Sequence, residues 1–583
     1  MAGASVEAAV AAVRPERLAR HLESFAGVRR DTAGPGERQA AEYIAGRLRE
    51  AGVPVEVHEF DAFLSYPIRA TLEVLEPERL TVPCLTHSFA RPTGPNGVVA
   101  ELADVADGQV ERGAGRAVLV GGLATPVTVL RASRVGCAAV VFTNQDRVIH
   151  NMIGTTIWGT PDLDQADRLP QCPAISVDVD GGRTLRSLVG RGAPVRVRIV
   201  AEVRTEWLRS LLPEAAIPGT GAEGADADQF VLVGAHYCSW NTGITDNATG
   251  DACLLEMARV LWEHRARLAR GVRVCWWPGH SHGRYSGSTW YADTRFFDLA
   301  ERCLAYYNVD SPGVRGATRY VARNTTADIE RFAKHIITRT TGLTEPPAHR
   351  PARAADQSFL PNGVSSFSIY PFLPEDHPDF RPWTGGAANA WWWHTDFDTL
   401  DKADTAILAA DTRIGVTAVA ELASARILPL APGDAGEEIR AIASDLRSPV
   451  GTHLDLGPLI ADADAFITAS RSLEEARGRA LDSAAARRLN TALLRLTRII
   501  NPVLYSRRGR FFHDPAEWSP IMRAGGRYVL PGLSPAAALP SLAGTRDYGF
   551  LRAQLLRECN RVRAALRDAS SLALETAEVL GRH

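Results

Sequence analysis

No stretch of about 18 apolar residues runs uncharged anywhere in this 583-residue sequence, so no membrane-spanning helix is expected. Cysteine is sparse and never clustered. The eight residues Cys84, Cys137, Cys172, Cys238, Cys253, Cys275, Cys303 and Cys559 stand singly, without a CxxC pair, in a chain far too large to need a disulfide framework. Reduced thiols and a cytoplasmic location are the expectation. An excess of one charge is missing too: 65 basic side chains face 67 acidic ones, which removes any bulk preference for polyanions, and nucleic acid is not an expected partner. The opening MAGASVEAAVAAVRPERLARHLESFAGVRR has no uninterrupted apolar segment before a cleavage site, so no signal peptide is expected. Internal repeats and long low-complexity segments are absent as well.

What is present is enough apolar material, 45% of residues, to build two to four compact units. Residues 1–60 read as two amphipathic helices, the second carrying Ala40, Tyr43, Ile44 and Leu48 on one face, and the strand VPVEVHEF follows. Between about Leu80 and Val200 the texture changes to short β-branched runs broken by glycine (RAVLVGGL, GCAAVVFTN, PVRVRIV), which predicts a β-rich insert. After the polar linker GTGAEGADAD, buried-type strands alternate with helices: FVLVGAHY, DNATGDACLLEMARVLWEH, GVRVCWWPG, TWYADTRFFDLAER, CLAYYNVD, DIERFAKHIITRT and GVSSFSIYPF. Such alternation predicts an α/β unit, a mostly parallel sheet flanked by helices. Beyond Ala431 the pattern is helical. The resulting division is 1–79 with 201–430 as the α/β domain, 80–200 as the insert and 431–583 as a helical domain.

In parallel sheets of this kind ligands bind beyond the carboxyl ends of the strands. Four such places carry metal-ligand side chains. FVLVGAH ends in His236, TDNATG puts Asp246 at the start of a helix, CLAYYNVD ends in Asp310, and AWWWHTDFDT offers His394. Two imidazoles and two carboxylates suit zinc, and an aspartate can bridge two ions. Singly, each has an ordinary alternative as an N-cap, a turn residue or a buried histidine.

HYxSW…TDNATG, WW…GS, NVDSPG and HTDFDTLD together resemble the co-catalytic zinc aminopeptidase family, which includes bacterial aminopeptidases, glutamate carboxypeptidase and the non-enzymatic transferrin receptor. The resemblance implies a zinc-aminopeptidase-like fold, a protease-associated insert at 80–200 and a helical dimerisation domain at 431–583. It also implies that His236 and Asp310 hold one metal, Asp246 bridges, and His394 holds the second. Two departures stand out. Cys238 occupies the place of an aspartate that orients the first histidine, and a thiol is a weaker acceptor. The family's Glu-Glu pair, general base then ligand, is replaced within WWPGHSHGRYSGS, Trp276–Ser288. Alignment from WW puts the pair at His280-Ser281, and alignment back from GS puts it at Ser281-His282. His282 is the expected replacement ligand and His280 the expected proton carrier, an imidazole being matched to acid–base work near neutral pH.

Arg284 and Tyr285 follow this turn as candidates for binding a carboxylate or oxyanion. Asp356, in RAADQSF, and its neighbour Gln357 resemble the family's Asp-His pair near the substrate. Glu375, Asp376 and His377 form a proline-flanked loop expected to be solvated. The expected function is hydrolysis of an amide or peptide bond by metal-activated water, with one or two zinc ions or another divalent transition metal, and a homodimer formed through the helical domain. A metal-dependent lyase acting on a small metabolite and a non-catalytic scaffold with a degenerate site are the alternatives.

Overall fold

The computed structural model describes residues 2–105, 108–222, 225–477, 482–516 and 528–581. Residues 223–224 of the linker and residues 478–481 and 517–527 of the expected helical domain lie outside the described residues. The first 60 residues hold three helices rather than two, Ala2–Ala11, Pro15–Phe25 and Pro35–Glu50. Pro15 has no N–H to continue a helix and disfavours helical geometry at Arg14, so the first amphipathic run breaks there. In the third helix Ala40, Ile44 and Leu48 are buried as expected, while Tyr43 is half-buried.

The α/β unit is organised around four parallel strands, Phe230–His236, Gly271–Trp277, Cys303–Asn308 and Ser365–Phe372. Antiparallel strands flank them, Arg319–Arg323 beside Ser365–Phe372 and Arg196–Ile217 beside Gly271–Trp277. All of Phe230–His236 is buried. Successive side chains leave opposite faces: Val231 and Val233 join the apolar cluster shared with the N-terminal helices, whereas Phe230 and Leu232 join a second cluster on the other face. Each large side chain so buried contributes about 2 kcal/mol. The segment expected as one helix, TWYADTRFFDLAER, is two, Ser286–Thr294 and Phe296–Arg302.

Strands Val55–Glu76 and Arg196–Ile217 pair antiparallel along almost their whole length and carry the chain out to the insert and back. The insert is less purely β than its glycine-broken texture suggests. Val98–Asp104, Ala117–Gly121, Ala139–Thr143 and Ala174–Val177 pair in parallel, with helix Pro126–Val135 between the second and third and helix Val179–Gly190 after the last. Helices Pro432–Val450, Gly457–Arg477, Ser483–Tyr505 and Arg546–Gly581 make up the C-terminal region. Arg498, on the third, is buried against the α/β unit and donates to the carbonyl oxygens of Ala300, Leu299, Gly363 and Cys303. Among the described residues no helix is long and apolar enough to cross a membrane.

Candidate metal centre

The carboxyl ends of the parallel strands converge on Asp246. Its Oδ1 lies 3.0 Å from His236 Nε2 and its Oδ2 lies 3.3 Å from His394 Nε2, so each oxygen faces one imidazole. Asp310 Oδ1 is 4.0 Å from His236 Nε2. The donor atoms of His236, Asp246 and Asp310 all lie within 4.8 Å of one another, a spacing at which one ion touches all three.

The histidines are oriented by main chain. His236 Nδ1–H donates to the carbonyl oxygen of Cys238 at 3.0 Å, and His394 Nδ1–H donates to that of Asn151 at 2.7 Å, leaving both Nε2 atoms toward Asp246. The carbonyl of Cys238 therefore does what a carboxylate at that position would do. Its thiol has a separate task, accepting the main-chain N–H of His280 at 3.1 Å. The partner of His394 belongs to the insert, and Asn151 closes the pair by donating its own N–H to the carbonyl of His394 at 3.0 Å.

Burial raises the cost of charge here, yet the bonds from His236 and His394 hold the Asp246 carboxyl well below the usual range. Burial likewise opposes protonation of His236, but its bonds to Asp246 and to Cys238 outweigh it and raise its pKa well above normal. Burial and the neighbouring Asp246 charge push Asp310 upward. A cation among these groups is the natural replacement for the shared proton.

The WWPGHSHGRYSGS turn places its two histidines differently. Gly279 has φ +68°, and a Cβ there would sit 1.9 Å from Ser286 Oγ, so the tight turn needs glycine. His280 lines the pocket, with its ring stacked on that of His236 at a centroid distance of 3.9 Å. Its Nδ1–H donates to Asp356 Oδ2 at 2.7 Å, and the other oxygen of Asp356 accepts from Ser288 Oγ at 2.9 Å. Burial and the charge of His236 lower the pKa of His280, against the pull of Asp356.

His282, expected as a ligand, points elsewhere. It is 2% exposed, packed between Trp240 and Tyr66, and its nearest ionic neighbour is Asp31, 3.7 Å from Nε2. The structure does not bring this side chain to Asp246 and His394 but packs it among aromatic rings. Ser281 is buried and does not line the pocket. Gln357 is buried too, accepting from Ser366 Oγ, while Glu375 and Asp376 are exposed and His377 half-buried outside the pocket.

A cavity open to solvent adjoins the cluster and is lined by Asp246, His280, Asp310 and His394. Its walls include residues the sequence did not single out, Met152 and Ile153 from the insert and Arg323, Asn324 and Tyr370 from the α/β unit. Asp398 also escaped notice although it lies in the HTDFDT segment. Its carboxylate accepts from Thr245 N–H (2.9 Å), Thr245 Oγ1 (2.7 Å) and Asp246 N–H (3.0 Å), which sets the loop that presents Asp246.

Residues 218–418 match the model of peptidase family M28. The probable glutamate carboxypeptidase VP8 of Zea mays is 27% identical over 347 residues, 47% of each chain. The mouse aminopeptidase NAALADL1 is 24% identical over 405 residues, 61% of this chain and 51% of its own. The chain thus spans about half the length of these curated relatives. Among solved structures, an aminopeptidase from Aneurinibacillus sp. strain AM-1 superposes with a TM-score of 0.56 at 20% identity, covering 71% of this chain and 95% of that one, and so shares the fold. Residues 218–418 are thus similar to peptidase family M28, on a fold shared with a zinc-aminopeptidase-type structure, and the Glu-Glu pair is absent from the turn after Trp277.

Proposed function

We propose that the protein is a metal-dependent hydrolase that cleaves an amide or peptide bond in a peptide or small substrate. The observation that carries this reading is the largely buried cluster of His236, Asp246 and Asp310, joined by His394, beside a cavity open to solvent. Their nitrogen and oxygen donors fit zinc, the metal named for one structural relative, the zinc aminopeptidase BSAP of Bacillus subtilis. A bound zinc ion would polarise a carbonyl oxygen and acidify water.

The residues divide into roles. His236, Asp246 and Asp310 form a three-donor site. Asp246 and His394 form a second half-site for which the His turn brings no further donor, now that His282 is turned away, and this supports one tightly held ion per chain. His280, with Nδ1 bound to Asp356, keeps Nε2 to take a proton from the attacking water and return it to the leaving amine. Tyr285 lines the wall nearby, its hydroxyl fixed by the N–H of Ala355 at 3.1 Å.

Metal analysis by plasma mass spectrometry, paired with hydrolysis of aminoacyl-4-nitroanilides and dipeptides, tests the reading. The expected result is close to one zinc per chain, lost in His236→Ala, with activity that follows metal content. Protein purified without chelator that holds no metal and gains no stability from added zinc would sink it. Dimerisation through the C-terminal helices belongs to the same proposal. Phe550, Leu556 and Leu574 are exposed on Arg546–Gly581, and a monomer in sedimentation velocity would count against it. All eight cysteines are unpaired, in keeping with a reducing compartment.

A further inference from the structure

We propose that Arg284, backed by Arg353, is an anion subsite of the cavity that holds a carboxylate group of the substrate. The residue following the His turn was a candidate from sequence, with a surface role equally open, and the structure buries it. Arg284 is 6% exposed and lines the cavity, yet no carboxylate forms an ion pair with it among the described residues. Among the described residues its Nε–H is buried without a partner, and its Nη2 donates only a long bond, 3.3 Å, to the carbonyl of Ala516. Asp356, the carboxylate whose charge it feels, already spends its oxygens on His280 and Ser288.

Arg353 repeats the pattern. It is fully buried, lies over the Trp158 ring at 4.0 Å and donates to the carbonyl of Asp514, while its Nε and Nη1 have no partner. Trp158 stacks in turn on Tyr285, and Arg284 lies over Tyr285 at 4.8 Å, so two guanidiniums are held by ring faces. A buried cation without a counter-ion is costly, and a planar guanidinium with a free edge is the side chain best shaped to receive a carboxylate. The backbone bears a cost as well, since Arg284 (φ +47°) and Tyr285 (φ +71°) are consecutive non-glycine residues in the left-handed region. Met152 and Ile153 add apolar lining to the same cavity. The cavity thus combines metal-ligand side chains, a guanidinium and hydrocarbon in one lining.

The identity of the occupant as substrate rests on the hydrolase reading, but the anion site itself is measurable without metal. Zinc-free protein is titrated by calorimetry with glutarate, with its uncharged counterpart glutaramide and with inorganic phosphate. Wild type is expected to prefer glutarate over glutaramide by at least tenfold, and Arg284→Gln to erase that preference while taking up zinc normally. Equal affinity for glutarate and glutaramide in wild type, unchanged glutarate binding in Arg284→Gln, or preference for phosphate over glutarate would each overturn the proposal. If Arg284→Gln does not fold, the wild-type comparison decides alone. Separate zinc titration distinguishes the two readings, because protein that prefers glutarate yet refuses zinc keeps the anion site and loses the hydrolase.

Discussion

Replacing His282 by phenylalanine separates a ligand from a packing residue and makes a quantitative demand on acid stability. The ring sits 4.6 Å from Trp240 and 5.1 Å from Tyr66, its Nδ1 has no partner, and burial lowers its pKa from 6.5 to about 4 despite the pull of Asp31. The unfolded chain therefore takes up a proton that the folded chain excludes. This histidine's contribution is fully present above pH 6.5 and is lost as pH falls from 6.5 toward 4, by ~3 kcal/mol across the window and by ~2 kcal/mol at pH 5. Phenylalanine has nearly the same shape and no proton to exclude, so the variant should match wild type at pH 7.5 within about 1 kcal/mol. It should then become progressively the more stable of the two as pH falls. Urea denaturation of both proteins in zinc-saturated buffer at pH 7.5, 6 and 5 measures the difference, in which other buried histidines such as His21 and His87 cancel. A difference that stays flat between pH 7.5 and 5 would refute the packing argument, and loss of zinc in the variant would restore His282 as a ligand.

Three further outcomes follow from the same geometry. Asp398→Asn turns an N–H₂ group toward donors that now face a carboxylate, at a cost of about 1–3 kcal/mol at the Asp246 loop, and isothermal titration should read roughly 10–100-fold weaker zinc binding with the fold retained. Asp356→Asn should keep the metal and lower kcat by about 10–100-fold at pH 7 with little change in KM, since His280 loses its anchor; an unchanged kcat would remove His280 from the chemistry. Arg498→Met strips the carbonyls of Ala300, Leu299 and Gly363 of their donor, so the helical region should loosen by about 3 kcal/mol and limited proteolysis should cut near it, while zinc content holds.

Strand ends were readable because an apolar run of fixed period has to stop at the edge of the sheet, and the next polar residue is then at the ligand face. That logic singled out His236 and Asp310, whereas Asp246 precedes a helix and His394 lies in a turn that no strand enters. It failed within the turn after Trp277, where no period exists. Side-chain direction there depends on positive φ at Gly279, Arg284 and Tyr285. It failed also for contacts between distant segments. Nothing near Asp398 announces that its carboxylate will meet the main chain of Asp246, 152 residues away. The parallel pairing inside the insert was hidden for a related reason, because short apolar runs separated by glycine look alike whether they return by a hairpin or through a helix.

The reciprocal bonds between Asn151 and His394 carry a consequence for how such a protein can be trimmed or recombined. A segment that looks like a detachable module supplies the carbonyl that aims an imidazole at Asp246, and takes back a carbonyl in return. Excising residues 80–200 would remove the carbonyl that anchors the Nδ1 side of His394, leaving only its contacts with Trp393 and Asp246 to aim the ring. Grafting a foreign module in its place would have to bring along a main chain that passes within hydrogen-bonding distance of residue 394. The two pieces are separable on paper and inseparable as an inheritance.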